Sequence, residues 1–235
     1  MTAPDVLTIP QLAAESGLLH GFSTTGLGSV GLIHAPDPAP VLASRRAFAR
    51  ELGIASELTT AGAVHGSKVS RVDEPHEVIQ GVDGLVTDKR NVALFATFAD
   101  CYPIVLWDPQ KRVAALVHAG WRGTQAGVAL AAVRFMQSEY GSAPSDVRAG
   151  IGPGICGRCY EVGGDVAFQF DARFRSQGDG DRFLLDLAAA NRAQLEEAGV
   201  GEVHVLGLCT KETDYLPSHR RNPDGTRFGA IVAIR

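Results

Sequence analysis

The chain has no apolar run approaching the roughly 18 residues that a membrane-spanning helix needs, so no membrane partner is expected. It has no basic excess either. Its 22 Lys and Arg against 26 Asp and Glu leave a net charge of −4, which gives no bulk electrostatic reason for nucleic-acid binding. The opening Met1-Thr2-Ala3-Pro4-Asp5 lacks a basic segment followed by an apolar one, so a cytoplasmic location is expected. Cysteine is sparse: Cys101, Cys156, Cys159 and Cys209. Without a secretory context these read as thiols rather than a disulfide framework. Internal repeats, low-complexity tracts and linkers are not evident.

What remains is an ordinary globular composition, 235 residues with 45% hydrophobic and 20% charged, enough for a sizeable core. The pattern predicts one α/β domain over residues 1–235, with a mixed sheet flanked by helices. Strands are expected at residues 18–25, 58–65, 69–72, 81–87, 92–99, 112–117, 147–151, 203–208 and 228–234. Helices are expected at 41–52, 123–140 with a Thr124 cap, and 184–198. Residues 163–174 read as helical or irregular, 176–182 as a polar loop, and 215–227 as a loop rich in Pro, Gly and Arg. Gly26-Leu27-Gly28-Ser29-Val30-Gly31 matches a dinucleotide-binding G-x-G-x-x-G literally. That fingerprint needs a helix beginning inside the motif, and Pro36, Pro38 and Pro40 are expected to block one. A glycine-rich hairpin or loop is the better reading.

Two stretches carry the chemistry. The strand at 92–99 runs into Asp100-Cys101, and the strand at 112–117 runs into His118, then Gly120-Trp121-Arg122-Gly123. His65 likewise follows a short apolar strand. Sheets commonly present their chemistry where strands give way to loops. A thiolate and two neutral imidazoles from Cys101, His65 and His118 suit zinc, and three protein ligands leave a fourth position open, as in catalytic sites. The spacing is not a compact metal motif. From pattern alone a buried cysteine with two satisfied core histidines is the better reading, and a metal-free Cys101–His118 nucleophile and base is a further option. Arg122, Lys68 and the Arg220-Arg221 pair with Arg227 are candidates for binding phosphate or carboxylate, Arg122 the best of them. Asp83 and Asp100 are candidates to orient a histidine or transfer a proton; alternatively they cap turns. Trp121 either packs or stacks on a base. Cys156-Gly-Arg-Cys159 is a lone C-x-x-C: a zinc ribbon needs a second pair, and Cys209 has no close companion in sequence.

Together, His20-Gly21-Phe22-Ser23-Thr24, Val64-His65-Gly66, Ala99-Asp100-Cys101, His118-Ala119-Gly120-Trp121-Arg122-Gly123, Ile151-Gly152-Pro153 and Cys159-Tyr160-Glu161-Val162-Gly163 resemble the YfiH family. This family carries a laccase-domain or polyphenol oxidase label, and its relatives include FAMIN. The likeness spans nearly the whole chain. It implies a single α/β domain similar to the catalytic domain of cytotoxic necrotizing factor. It also implies a metal site at His65, Cys101 and His118, holding zinc, with copper the alternative.

The implied activity is phosphorolysis of adenosine, inosine and methylthioadenosine, with adenosine deamination. Catalytic roles would then fall to Cys101, His118, Asp100 and Arg122, and substrate contacts to Lys68, Asp83, Trp121 and Arg220. The partners would be a purine nucleoside and phosphate, on a monomer or weak homodimer. Alternatives are a copper-dependent phenol oxidase and a cysteine hydrolase acting on a peptidoglycan precursor. The sequence departs from the family at Thr25, Ala63, Cys156, Arg158 and Thr226. A multicopper oxidase needs a large histidine set, mostly as H-x-H pairs. This chain has seven histidines, His20, His34, His65, His76, His118, His204 and His219, and no H-x-H.

Overall fold

A computed structural model describes residues 4–33 and 35–235. Residues 1–3, part of the N-terminal segment discussed above, and His34 lie outside the described residues.

Alternation along the strands explains the architecture. In chain order the strands are β1 (Val6–Leu7), β2 (Leu18–Ser23), β3 (Leu58–Gly62), β4 (Val69–Arg71), β5 (Val78–Gln80), β6 (Gly84–Thr87), β7 (Ala93–Phe98), β8 (Tyr102–Asp108), β9 (Val113–Ala119), β10 (Arg148–Ile151), β11 (Glu161–Gly163), β12 (Arg175–Gln177), β13 (Arg182–Leu185), β14 (Glu202–Val205) and β15 (Phe228–Ile234). The helices are α1 (Pro10–Ala13), α2 (Pro38–Glu51), α3 (Trp121–Gln125), α4 (Val128–Tyr140), α5 (Gly164–Ala167) and α6 (Leu187–Glu197). One six-stranded mixed sheet has the order β1-β2-β15-β7-β3-β5, and a second has β14-β10-β8-β9-β6-β4. A small antiparallel sheet, β11-β13-β12, stands beside them.

Successive side chains of a strand face opposite ways. In β7, Leu94, Ala96 and Phe98 join a core shared with Val105 and Trp107 of β8 and Leu116 of β9, between the two large sheets. Ala93 and Phe95 face the other way, onto Phe48 and Ala49 of α2. In the second sheet, Ile104, Leu106, Val113, Ala115 and Val117 turn outward onto α4 and α6. The layers therefore run α2, first sheet, second sheet, then α4 with α6. Strands buried on both faces read as continuous apolar runs, and β7, β8, β9 and β15 do so.

The single-domain α/β expectation holds, with two large sheets where one was expected. Several local expectations are corrected. Residues 102–108, assigned no element from sequence, form a fully buried central strand. Pro103 argues against a central strand, but it sits near the strand start, where a missing N–H is tolerated, and its carbonyl still accepts the Gly152 N–H at 2.9 Å. The segment at 69–72 does not pair with the one at 58–65: β4 lies parallel to β6 in the second sheet, and β3 lies in the first.

The expected helix at 123–140 is two helices, broken at Gly127 with φ 76°. Thr124 does not cap it; it is buried and bonded to Asn191. Residues 176–182 are not simply a loop, because β12 and β13 pair across them. The helix expected from 184 starts at Leu187, where the Asp186 side chain accepts the Ala189 N–H. Prolines 38 and 40 do not prevent a helix, since α2 opens on Pro38 with Asp37 as its cap. Proline in a first turn removes an N–H that has no helical partner. No helix begins inside the glycine motif, which forms a single 3₁₀ turn at Thr25–Leu27.

Candidate functional site

Cys101 lies where the chain leaves one large sheet and enters the other. β7 ends at Phe98, β8 begins at Tyr102, and the turn between them puts Asp100 at φ 82°. His118 is the sixth residue of β9, pointing into the inter-sheet core with its ring 5.1 Å from that of Phe98. His65 sits on the loop after β3 with φ 61°, a backbone conformation that non-glycine residues seldom adopt.

These three segments bring one ligating atom each from His65, Cys101 and His118 within 4.8 Å of one another. His118 and His65 stand edge to face, ring centroids 4.9 Å apart. His118 is buried, and His65 is exposed at the mouth. Gly120 makes this approach feasible. A Cβ there would lie 2.8 Å from the Cys101 Sγ and 2.9 Å from the His65 Cδ2.

Asp83 holds two of the three. It is fully buried, and its carboxylate accepts the N–H groups of His65 at 2.8 Å, Gly66 at 2.7 Å and Val64 at 3.3 Å. The same carboxylate faces His118 Nδ1 at 3.3 Å. Its carbonyl accepts the His118 N–H at 2.7 Å. Burial alone would raise the Asp83 pKa, but the bonds from His118 and Gly66, the His118 charge and the Val64 bond bring it below the usual carboxylate value. An Asp83 with no exposed surface cannot contact substrate, so that expectation is corrected to a positioning role. Burial likewise pushes the Cys101 thiol up, and the adjoining His118 and His65 outweigh it, bringing it down to about 6. Burial pushes His118 down, and Cys101 with Asp83 raises it to about 9. Without a metal, the site thus favours a thiolate paired with an imidazolium that a carboxylate already orients.

The other predicted residues are distributed around this centre. Both oxygens of Asp100 are occupied: Thr210 Oγ1 donates to one at 2.7 Å and the Arg220 N–H to the other at 2.7 Å. Asp100 therefore fastens the 210–220 loop beside Cys101. The Arg220 guanidinium donates to the Glu161 carbonyl at 2.7 Å and lies 5.2 Å from the Tyr160 ring centroid. Arg122 is exposed and stacks over Trp121 at 4.2 Å, while Trp121 also packs on the α4 core. Lys68 is exposed, and its carbonyl accepts the N–H groups of Asp83 and Gly84.

Sequence reasoning missed Tyr160. It is half-buried, its hydroxyl is pushed up to about 12, first by burial and then by the negative Cys101 nearby, and it shares its surroundings with Arg220 and Arg122. The Cys159-Tyr160-Glu161 motif was the available signal. Arg221, expected among the anion-binding candidates, instead donates its guanidinium to the carbonyls of Thr210, Lys211, Thr213 and Leu216 and braces their loop.

A family described as multi-copper polyphenol oxidoreductase laccase matches residues 19–235. The chain belongs to that family. It is 39% identical, over 100% of its own length and 95% of the relative's, to a purine nucleoside phosphorylase of Deinococcus radiodurans. It is also 39% identical to a purine nucleoside phosphorylase of Streptomyces coelicolor, covering 87% of this chain and 85% of that one. Among solved structures, YlmD from Geobacillus stearothermophilus superposes with a TM-score of 0.91 at 30% identity, covering 100% and 98% of the two chains. YfiH from Bacillus licheniformis superposes with a TM-score of 0.89 at 27% identity, covering 99% and 97%. The YfiH resemblance and its fold are thus established for this chain. No helix is long and apolar enough to cross a membrane among the described residues.

Proposed function

We propose that the chain is a zinc-dependent purine nucleoside phosphorylase that also deaminates adenosine. The observation that carries this reading is the convergence of His65, Cys101 and His118, with His65 exposed and Tyr160 near enough to feel the Cys101 charge. The curated relatives named above supply the reaction class.

The donor set fits zinc: one thiolate and two imidazoles, with Asp83 fixing the tautomer of one ring and the backbone beneath the other. When bound there, zinc supplies Lewis acidity and an open coordination position for water or substrate. The chain's own residues do the rest. Asp83 keeps the His118 Nδ1–H directed at itself, so that Nε2 is free for the centre. Trp121 and Tyr160 offer aromatic faces to a purine. Arg122 and Lys68, both exposed and cationic, hold phosphate, which positions it against the ribose C1′. Phosphorolysis then exchanges the glycosidic C–N bond for a C–O bond to phosphate, and the base leaves with a proton. The partners are small molecules.

A copper oxidase reading fares worse on the ligands. Among the described residues, two groups of three or more metal-capable side chains converge, and together they hold only two histidines. One observation favours a second reading. The lowered Cys101 thiol, His118 and Asp83 form a nucleophile, base and orienting carboxylate in sequence, as in a cysteine hydrolase.

Inosine and adenosine turnover, with and without phosphate, on protein of measured metal content separates the two. Phosphate-dependent base release that is lost on chelation and restored by zinc is the expected result. Amide hydrolysis that survives chelation and dies on alkylation of Cys101 would replace the phosphorylase assignment with the hydrolase one.

A further inference from the structure

Cys209 has no cysteine near it in sequence, but the fold brings Cys156 and Cys159 to it and to Glu212, three residues on. Gly154 bridges Cys209 in parallel, with the Gly154 N–H on the Leu208 carbonyl and the Thr210 N–H on the Gly154 carbonyl. This contact lays the 154–160 turn against the 208–213 turn. The ligating atoms of Cys156, Cys159, Cys209 and Glu212 then all lie within 4.8 Å of one another. The Cys156 N–H donates to the Cys209 Sγ at 3.3 Å, and the Cys159 thiol donates to Glu212 Oε1 at 3.4 Å. Arg158 donates to both Glu212 oxygens, at 3.3 and 3.1 Å.

We propose that Cys156, Cys159, Cys209 and Glu212 form a second, closed zinc site that braces the wall of the Cys101 centre. Three soft sulfurs with one oxygen make a four-coordinate donor set, and no position remains for substrate. Zinc–sulfur bonds of about 2.3 Å put tetrahedral ligands roughly 3.8 Å apart, so the cluster contracts by an ångström or less on loading. A disulfide between any two of the thiols would leave the third sulfur and Glu212 unaccounted for. Three thiolates and a carboxylate around a divalent ion leave two negative charges, and the Arg158 guanidinium on Glu212 offsets one of them.

The structural consequence lies next door. Tyr160 follows Cys159 directly, and the Glu161 carbonyl holds Arg220. Thr210 follows Cys209 directly and holds Asp100, the residue before Cys101. Clamping the two turns therefore fixes Tyr160, Arg220 and the Cys101 turn together.

The test uses a His65→Ala/Cys101→Ala variant, which removes the first centre. Reduced protein, stripped by chelator, is reloaded with zinc and separately with cobalt(II). The expected result is about one zinc per chain, and cobalt spectra with thiolate charge-transfer bands and the intense visible bands of tetrahedral coordination. Adding Cys159→Ser and Cys209→Ser should abolish both. Should that variant fail to fold, Glu212→Gln in the same background serves, because Glu212 is exposed; a shifted cobalt visible spectrum is expected. Folded protein that binds no zinc and shows no cobalt–thiolate bands would overturn the proposal. So would zinc retention after loss of both cysteines, an unshifted cobalt spectrum in Glu212→Gln, or an intact mass showing a Cys156–Cys209 or Cys156–Cys159 disulfide in the protein as isolated.

Discussion

Replacing Asp83 by Asn changes one atom's chemistry at the point where the 64–66 loop and His118 of β9 meet the residue before β6, so its effect can be worked through. The carboxylate now accepts three N–H groups, from Val64, His65 and Gly66, and faces the His118 ring. An Asn amide has one oxygen to offer and turns an NH₂ toward at least one of these donors. A lost bond to a charged acceptor is worth about 1.5–3 kcal/mol, and a buried donor left without a partner costs about 1–3 kcal/mol. Nothing then offsets the strained His65 backbone at φ 61°, itself of order 1 kcal/mol. A destabilisation of about 3 kcal/mol follows for the metal-free chain, read by urea unfolding. For the proposed zinc centre, loss of a carboxylate partner to a ligand histidine weakens metal binding roughly 10–100-fold. Competition with a chromophoric chelator measures this. Zinc affinity within twofold of wild type, in an Asn variant that keeps its stability, would refute the claim that Asp83 organises the site.

Three further outcomes are expected. Gly120→Ala places a Cβ within 3 Å of Cys101 and His65 while keeping an extended backbone that alanine tolerates, so overpacking of about 1–3 kcal/mol should appear as up to roughly a hundredfold weaker zinc binding with little change in helix content by circular dichroism. In the metal-free chain, iodoacetamide should alkylate Cys101 with an inflection near pH 6, rising as the thiolate forms, and zinc should protect it; an inflection near the ordinary thiol value of 9.0 would contradict the His118 pairing. Burial lowers His20 from 6.5 to about 4, with its Nε2 accepting the Ile9 N–H at 2.9 Å, so the native state resists a proton that the unfolded chain takes up. Stability should therefore fall as pH drops from about 6.5 toward 4, by about 2 kcal/mol between pH 7 and 5, and this share should be missing in His20→Gln when the two are compared by urea unfolding.

The residues that converge at the candidate site were legible because they stand at abrupt junctions. Cys101 and His118 each close an apolar run, and Gly120 and Gly123 mark the opening of α3. The fold class was legible for the same reason: runs of five to seven apolar residues punctuated by glycine read as buried strands. What was not legible follows from competition among local signals. Pro103 hid β8, because the rule against proline in a central strand relaxes at a strand's first residues. The polar Ser-Gln-Gly-Asp-Gly-Asp-Arg segment hid the β12–β13 hairpin, whose pairing is set by the partner strand rather than by its own composition.

The sequence by itself therefore determined that this is an apolar-stranded α/β chain of the YfiH type, and it singled out His65, Cys101 and His118, which the fold brings within 4.8 Å of one another. Only the tertiary structure put the Asp83 carboxylate on three backbone N–H groups and the Asp100 carboxylate on the 210–220 loop, because a carboxylate's role depends on which donors surround it. It alone put Cys209 and Glu212 against Cys156 and Cys159, because partners some fifty residues apart meet only when β10 and the turn after β14 run side by side.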